Sequence, residues 1–477
     1  MANQMVSDPE RAVRWWEPPL FAALAGAMGW GIRGQYGHET GAMIAGVLVS
    51  LTLVFLLCPN WRSLPAARAV AWGTVAMGIG GTMTYGQTIG LTQNPDMIGN
   101  WAALRWGMLG LAIKGGVWIG FAGFFLGMGL GGIRYRPIEL LLLMTGLVGV
   151  YFLGMALLNA PFDPANKLLP SVYFSESWHW KPDAVLKPRR EYWGGNLLAL
   201  AAACAYAGWW RKDRLASRLA LWGVLGGALG FPGGQCLQAF HSWNPEVFHQ
   251  GIWVRLDPFM NWWNMMETTF GAIMGGILGL GLWLNRKRIQ TGPDADTASL
   301  SGTAEWVLLA VFLGTLIAVE FASVPVVEML FDVGILMTII PIAAVAGGRW
   351  WPYLMALPVT LLPIAGKTVL QLVYQETTIN PAAGWFVYFV LPLSLATVAA
   401  IRFAQGAPAG QTGREFARRA LLLTTWIYFL LNFAFFRFPW PWAEWTSRTP
   451  NSIIFTLCAI GLTVLALKRT PREKYAS

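Results

Sequence analysis

Long apolar runs, separated by short polar stretches, follow one another from residue 18 to residue 467. A bilayer core about 30 Å thick takes roughly 20 apolar residues per helix. On that measure candidate spans fall near 18–32, 39–58, 66–86, 104–130, 138–160, 192–210, 218–238 and 262–284. Others follow near 304–324, 327–346, 351–373, 384–403, 416–436 and 452–467. The pattern predicts an all-α fold, a polytopic integral membrane bundle of about 14 transmembrane helices, with 12–14 as the range. The range reflects a short first run and tight connections between the ninth, tenth and eleventh.

Composition narrows the class. The chain is 55% hydrophobic and only 12% charged, against about 25% charged in ordinary soluble domains. Too few charges remain to coat a water-exposed surface, which argues against soluble enzymes and disordered chains. The net charge of +10 would suit nucleic acid, but its basic residues sit in clusters between apolar runs, such as Arg211-Lys212 and Arg286-Lys287-Arg288. That distribution is the one expected of cytoplasmic loops. It predicts both termini in the cytoplasm, an inner or plasma membrane location, a lipid bilayer as partner and no nucleic acid. The first apolar stretch lacks a small-residue cleavage site and is expected to stay as an anchor. Cys58, Cys204, Cys236 and Cys458 lie far apart with no CxxC, so neither a disulfide framework nor zinc is expected.

Glycine divides the chain. It crowds residues 1–300 and thins out afterwards. Small residues let membrane helices approach closely, so residues 1–286 are expected to form a tight eight-span core. Residues 287–303, KRIQTGPDADTASLSGT, read as a cytoplasmic linker, and residues 304–477 as a looser six-span region. Within the core, Gly26-Ala27-Met28-Gly29-Trp30 is matched by Gly227-Ala228-Leu229-Gly230-Phe231, and both lead to a Gly-Gln pair, Gly34-Gln35 and Gly234-Gln235. Glu39-Thr40 and Glu267-Thr268 then each precede a glycine-rich run. A weaker third copy ends at Gly86-Gln87. All three fall at the outer ends of odd-numbered spans, which predicts parallel internal helix-hairpin repeats, as transporters use. Convergence of Gly-Ala-rich helices is the alternative.

Polar chemistry gathers on the same outer side. Residues 29–37 hold four glycines, and each costs a helix about 1 kcal/mol relative to Ala, so the backbone is expected to break there. Broken backbone at membrane depth is tolerated where protein buries it or water meets it. The following helix begins near His38-Glu39-Thr40, and its free N–H groups would hold an anion or Glu39 itself. Glu267 is expected about 8 Å into the eighth span at 1.5 Å per residue. There it should face the bundle interior, pair with a cation or titrate. Lys114, inside the fourth span, is a partner of the right kind. A plain extramembrane turn with a structural ion pair explains the same residues.

All four histidines, His38, His179, His241 and His249, fall in expected outer segments. Glu246 and His249 share a spacing that would suit a metal, but Asn244-Pro245 explains the segment as a capped surface helix, and no metal site or cofactor is expected. Many of the 27 tryptophans cluster at span ends as interfacial belts. Glu320, Glu328 and Asp332 would form an acidic vestibule or a solvated loop. Pro341, Pro358, Pro363 and Pro392 should kink their helices.

Three function classes fit. The first is a transporter or permease for a small polar or anionic solute. Its site would be Arg33, Gln35, His38, Glu39, Gln87, Lys114, Gln235, His241 and Glu267, open to the extracytoplasmic face. The second is a membrane-embedded enzyme at the outer face, with His38 or His241 as general base beside Glu39 or Glu246, acting on a lipid-linked or extracytoplasmic substrate. No spacing matches a catalytic motif, so this trails. The third is a scaffold or assembly subunit. A homo-oligomer is compatible with all three.

Overall fold

The computed structural model describes residues 13–34, 36–37, 40–83, 85–176, 178–181, 188–292, 295–322, 338–435 and 445–468. They are helical, with no strand among the described residues beyond two isolated bridges. The main helices are α1 (Glu17–Arg33), α2 (Ala42–Leu57), α3 (Ser63–Ile79), α4 (Gly86–Gln93), α5 (Trp101–Leu130), α6 (Pro137–Leu158) and α7 (Trp193–Ala205). Then come α8 (Arg214–Trp243), α9 (Trp262–Leu284), α10 (Gly302–Ala322), α11 (Trp351–Gln375), α12 (Pro381–Gly406), α13 (Gly413–Phe435) and α14 (Thr449–Leu467). Among the described residues eight helices are long and apolar enough to cross a membrane: α2, α5, α6, α8, α9, α11, α12 and α14. The chain is a multi-pass helical membrane protein.

Local signals explain where the helices begin. Asn100 caps α5 by accepting from the Ala103 amide at 3.0 Å, and Asn261 does the same for α9 through Asn264 at 2.9 Å. Asp213 caps α8 through Ala216 at 3.0 Å. Each satisfies an amide that the first helical turn leaves without a partner.

Six helices form a ring: α1 packs on α2, α2 on α3, α3 on α5, α5 on α8, α8 on α9, and α9 back on α1. Glycine makes the ring tight. A Cβ on Gly271 of α9 would lie 2.1 Å from the Gly26 carbonyl oxygen of α1, and one on Gly227 of α8 would lie 1.8 Å from that of Gly115 in α5. Aromatic rings fill the centre. Trp30 of α1 meets Phe270 of α9 at 4.4 Å and reaches across to Trp118 of α5 at 5.2 Å, while Phe231 stacks on Phe270 at 4.7 Å. Outside the ring, α13 lies on α2 and α3, α14 on α1, and α6 with α7 on the far side.

The expected break at 29–37 falls in the second half of that stretch. Helix α1 runs unbroken through Gly29 and Gly31 to Arg33, and the chain turns only after it. The glycines sit at close approaches: a Cβ on Gly29 would lie 2.6 Å from Ala45 Cα, and one on Gly31 would lie 2.4 Å from the Phe455 ring. Packing of α1 on α2, α9 and α14 outweighs their poor helix propensity. The linker is tied down by Arg68 of α3, whose guanidinium donates to the carbonyls of Ala295 at 2.7 Å, Thr297 at 2.8 Å and Gly348 at 3.0 Å. Glu328 and Asp332 lie outside the described residues, as does the side chain of Glu320.

Candidate functional site

One end of the ring carries the polar residues. Arg33, the last residue of α1, points into the ring at 2% exposure. Its Nη2 donates to Glu267 Oε1 at 2.7 Å and to the Tyr85 hydroxyl, and its Nη1 to the Gly37 carbonyl at 3.4 Å. The guanidinium lies over Trp30, Tyr85 and Trp118, with ring centroids 5.0, 5.6 and 5.9 Å away. Aromatic faces attract a cation most strongly when water is excluded. Glu267, on α9 and also 2% exposed, accepts a second bond from Trp263 Nε1 at 3.1 Å. A Cβ on Gly34 would lie 2.4 Å from Glu267 Oε2, so the glycine after Arg33 makes room for the carboxylate.

More positive charge surrounds this pair. Arg448, just before α14, acts electrostatically on Glu267. Lys367 of α11 donates Nζ to the Tyr36 carbonyl at 3.1 Å. Arg33 and Lys367 therefore hold adjacent carbonyls of the α1–α2 turn, from opposite partners. Lys367 lies between two wide π-helical stretches, Met355–Val359 and Leu370–Gln375. Such stretches recur at functional sites.

The short helix α4 links this pair to a second one. Three residues after Tyr85, Thr88 accepts from Lys114 Nζ at 2.7 Å, and Lys114 pairs with Glu191 at 2.6 Å. Further along α4, Thr92 Oγ1 accepts from Gln235 Nε2 at 2.8 Å, and the Thr92 carbonyl accepts from Trp243 at 2.8 Å. Gln235 Oε1 is buried and accepts no hydrogen bond among the described residues. Gln87 lies on the other side of α4, where its Oε1 accepts from the Arg189 amide at 3.2 Å.

Two expected pairings are therefore revised. Lys114 serves Glu191, because Phe174 and Glu191 lie against α5, and Glu267 takes Arg33, the cation at the end of the neighbouring helix. His241 meets Asp257 at 2.9 Å rather than Glu246. The segment Pro245–Phe248 is a single helical turn that leaves Glu246 and His249 exposed, and no group of metal-ligating side chains occurs among the described residues. His241 is stacked on Trp262 at 4.6 Å. Gln35, His38 and Glu39 lie outside the described residues.

Sequence reasoning missed Tyr85, Thr88, Glu191, Asp257 and Arg448. Glu191 carried a signal, as an acid immediately before an apolar run, but it was absorbed into a long loop. Tyr85 stands beside the Gly86-Gln87 copy of the repeat, whose pattern marks the glutamine rather than the tyrosine. Comparison with known proteins adds no relative: no family model, curated protein or solved structure matches the chain.

Proposed function

We propose that this chain is a transporter or permease for a small anionic or polar solute, with its site at the polar end of the six-helix ring. One observation carries the reading: Arg33 and Glu267 form an ion pair inside the ring at 2% exposure each. Charges within membrane helices are costly and mark solute or ion pathways. Arg448 and Lys367 bring further positive charge to Arg33, which suits an anion that would compete with Glu267 for Arg33. The buried acceptor of Gln235 offers a place for a solute N–H or O–H. Helix α11, with Pro358 and Pro363 and its two π-helical stretches, is the element proposed to move, drawing Lys367 off the α1–α2 turn. The finer architecture belongs to the same proposal: about 14 spans, parallel repeats in residues 1–286, both termini cytoplasmic in an inner or plasma membrane, and the site facing outward.

The test is flux. Proteoliposomes are given gradients of chloride, phosphate, sulfate and acetate, and the Arg33→Met/Glu267→Gln double variant is compared with wild type. Gradient-driven uptake of one of these anions, lost in the double variant, supports the reading. Uptake that the double variant retains would overturn it.

One observation favours a second reading, an enzyme at this face. Asp257 Oδ1 lies 2.9 Å from His241 Nε2 and accepts from Trp262 Nε1 at 2.7 Å, a carboxylate–imidazole pairing of the kind used in proton transfer. Loss of function in His241→Gln with anion flux intact would select it.

A further inference from the structure

The opposite end of the molecule carries a groove that the proposed function does not use. It is an open cavity of about 770 Å³ between the start of α6, the 131–136 connection and the end of α7. Arg134, Arg136 and Arg211 line its polar side, and Ile138, Leu142 and Leu143 its apolar side. The one acidic lining residue, Glu139, is already engaged: Oε1 pairs with the Arg211 guanidinium at 2.9 Å and accepts from the Tyr206 hydroxyl at 2.7 Å, and Oε2 accepts from the Arg136 amide at 3.3 Å. Nearby Asp213 is buried and turned away, taking the Tyr135 hydroxyl at 3.0 Å and the Ala216 amide at 3.0 Å. The groove therefore keeps a net positive charge, and its two exposed guanidinium groups, Arg134 and Arg136, stand two residues apart.

The apolar side does not end at the groove. Along α6, Ile138 is 59% exposed, Leu142 67%, Leu153 54% and Leu157 63%. Between them Gly146 and Gly149 have open space where a Cβ would stand, leaving a shallow channel on the helix face. Helix α6 has 22 residues, long enough at 1.5 Å per residue to cross a hydrocarbon core of about 30 Å. Its exposed face is thus lipid-facing, and the arginines stand at headgroup depth. A cationic pocket opening onto an apolar channel has the shape and charge of a phospholipid turned inside out: phosphate on the guanidinium groups, acyl chain on α6. Arginine suits this role because its planar donors match phosphate oxygens in pairs.

We infer that the groove formed by Arg134, Arg136 and Arg211 is a binding site for an anionic phospholipid of the surrounding bilayer. Basic pockets between membrane helices bind such headgroups, and each Lys or Arg contributes about a fivefold gain at an anionic surface.

Native mass spectrometry of the full-length protein in detergent tests this, with phosphatidylglycerol and phosphatidylcholine of the same acyl chains added in turn. The wild type should hold phosphatidylglycerol at least about tenfold more tightly than phosphatidylcholine, and Arg134→Gln/Arg136→Gln should weaken phosphatidylglycerol about 25-fold while leaving phosphatidylcholine unchanged. Both side chains are exposed, so this variant keeps its fold, and Arg134→Lys/Arg136→Lys should restore most of the preference. Arg286→Gln/Lys287→Gln, on the same basic face outside the groove, should leave binding within about twofold. Equal loss in that control would mean general surface charge and would overturn the site. So would a preference that survives Arg134→Gln/Arg136→Gln, inorganic phosphate alone displacing the lipid at equal concentration, or a second copy of the chain occupying the groove in place of lipid.

Discussion

Among the described residues two ion pairs are fully buried, and they do different work. Lys114–Glu191 and Arg33–Glu267 have nearly the same separation, 2.6 and 2.7 Å, and all four side chains are at most 2% exposed. The difference lies in what else they touch. Glu191 is saturated: Oε1 takes Lys114 and the Ser175 hydroxyl at 3.3 Å, and Oε2 takes the Phe174 amide at 2.9 Å. Lys114 adds Thr88, whose hydroxyl in turn donates to the Phe174 carbonyl. That network pins Phe174, Ser175 and Glu191 onto α4 and α5. Arg33–Glu267 instead closes the ring between α1 and α9, rests on aromatic faces, and has further cations nearby. Burial of a charge pair is therefore no sufficient mark of a functional site; among the described residues, the cations gathered beside Arg33–Glu267 separate the two.

The largest expected effect falls on the pinning pair. Lys114→Met leaves Glu191 buried without its cation, which costs about 3–5 kcal/mol for pairs of this kind. The purified variant should melt far below wild type in detergent or fail to accumulate. A melting curve matching wild type would mean that Glu191 is hydrated and that the contrast drawn here is false.

Removing both members of a pair tests the distinction from the other side. Replacing a buried ion pair by uncharged side chains of similar volume is often neutral or stabilising by about 1–4 kcal/mol. Lys114→Met/Glu191→Gln should therefore recover most of the lost stability and keep anion flux. Arg33→Met/Glu267→Gln should fold as well but lose flux. If the two double variants behave alike in both measurements, the pairs are equivalent and the assignment of the site to Arg33 fails.

A smaller effect is expected at Thr88. Valine keeps the shape of threonine but removes the hydroxyl, so the Phe174 carbonyl loses its donor inside the protein. A buried polar group left unsatisfied costs about 1–3 kcal/mol. Thr88→Val should lower the melting temperature and expose the chain around Phe174 to proteolysis while flux persists. Protease resistance equal to wild type would show that the segment is held elsewhere.

How much of this was readable in advance depends on whether the information was local. The apolar period placed α9 at Trp262–Leu284 because twenty-odd apolar residues between a capping Asn261 and Asn285 leave little choice. Gly29 and Gly31 misled for the opposite reason: as local signals they argue for a break, yet their lack of a side chain is what lets α1 lie against α2, α9 and α14. Glu267 and Lys114 were recognisable as charges needing partners, since an apolar run advertises any charge within it. Which partner each takes was not recognisable, because Arg33 is 234 residues from Glu267 and only ring closure brings them together. Glu191 and Tyr85 sit where the hydropathy pattern has no period, and their neighbours, an apolar run and a Gly-Gln pair, mark the place without marking the partner.

Tyr85 provides the finest test of the comparison. Its hydroxyl accepts from Arg33, and its ring lies under the same guanidinium and against Phe231 at 5.3 Å. Phenylalanine would keep the aromatic face and remove only the hydrogen bond. A hydrogen bond to a charged group contributes about 1.5–3 kcal/mol at most, and Glu267 and the Gly37 carbonyl still hold Arg33, so the loss in stability should be near the lower figure. If Arg33 releases Glu267 to take a solute anion, the phenol is the partner that keeps the guanidinium in place during the exchange. Tyr85→Phe should then raise the anion concentration for half-maximal flux while changing the maximal rate little. Should the maximal rate collapse and the half-maximal concentration stay fixed, Tyr85 acts on movement of the ring rather than on the anion, and the solute would have to be sought nearer Lys367 on α11.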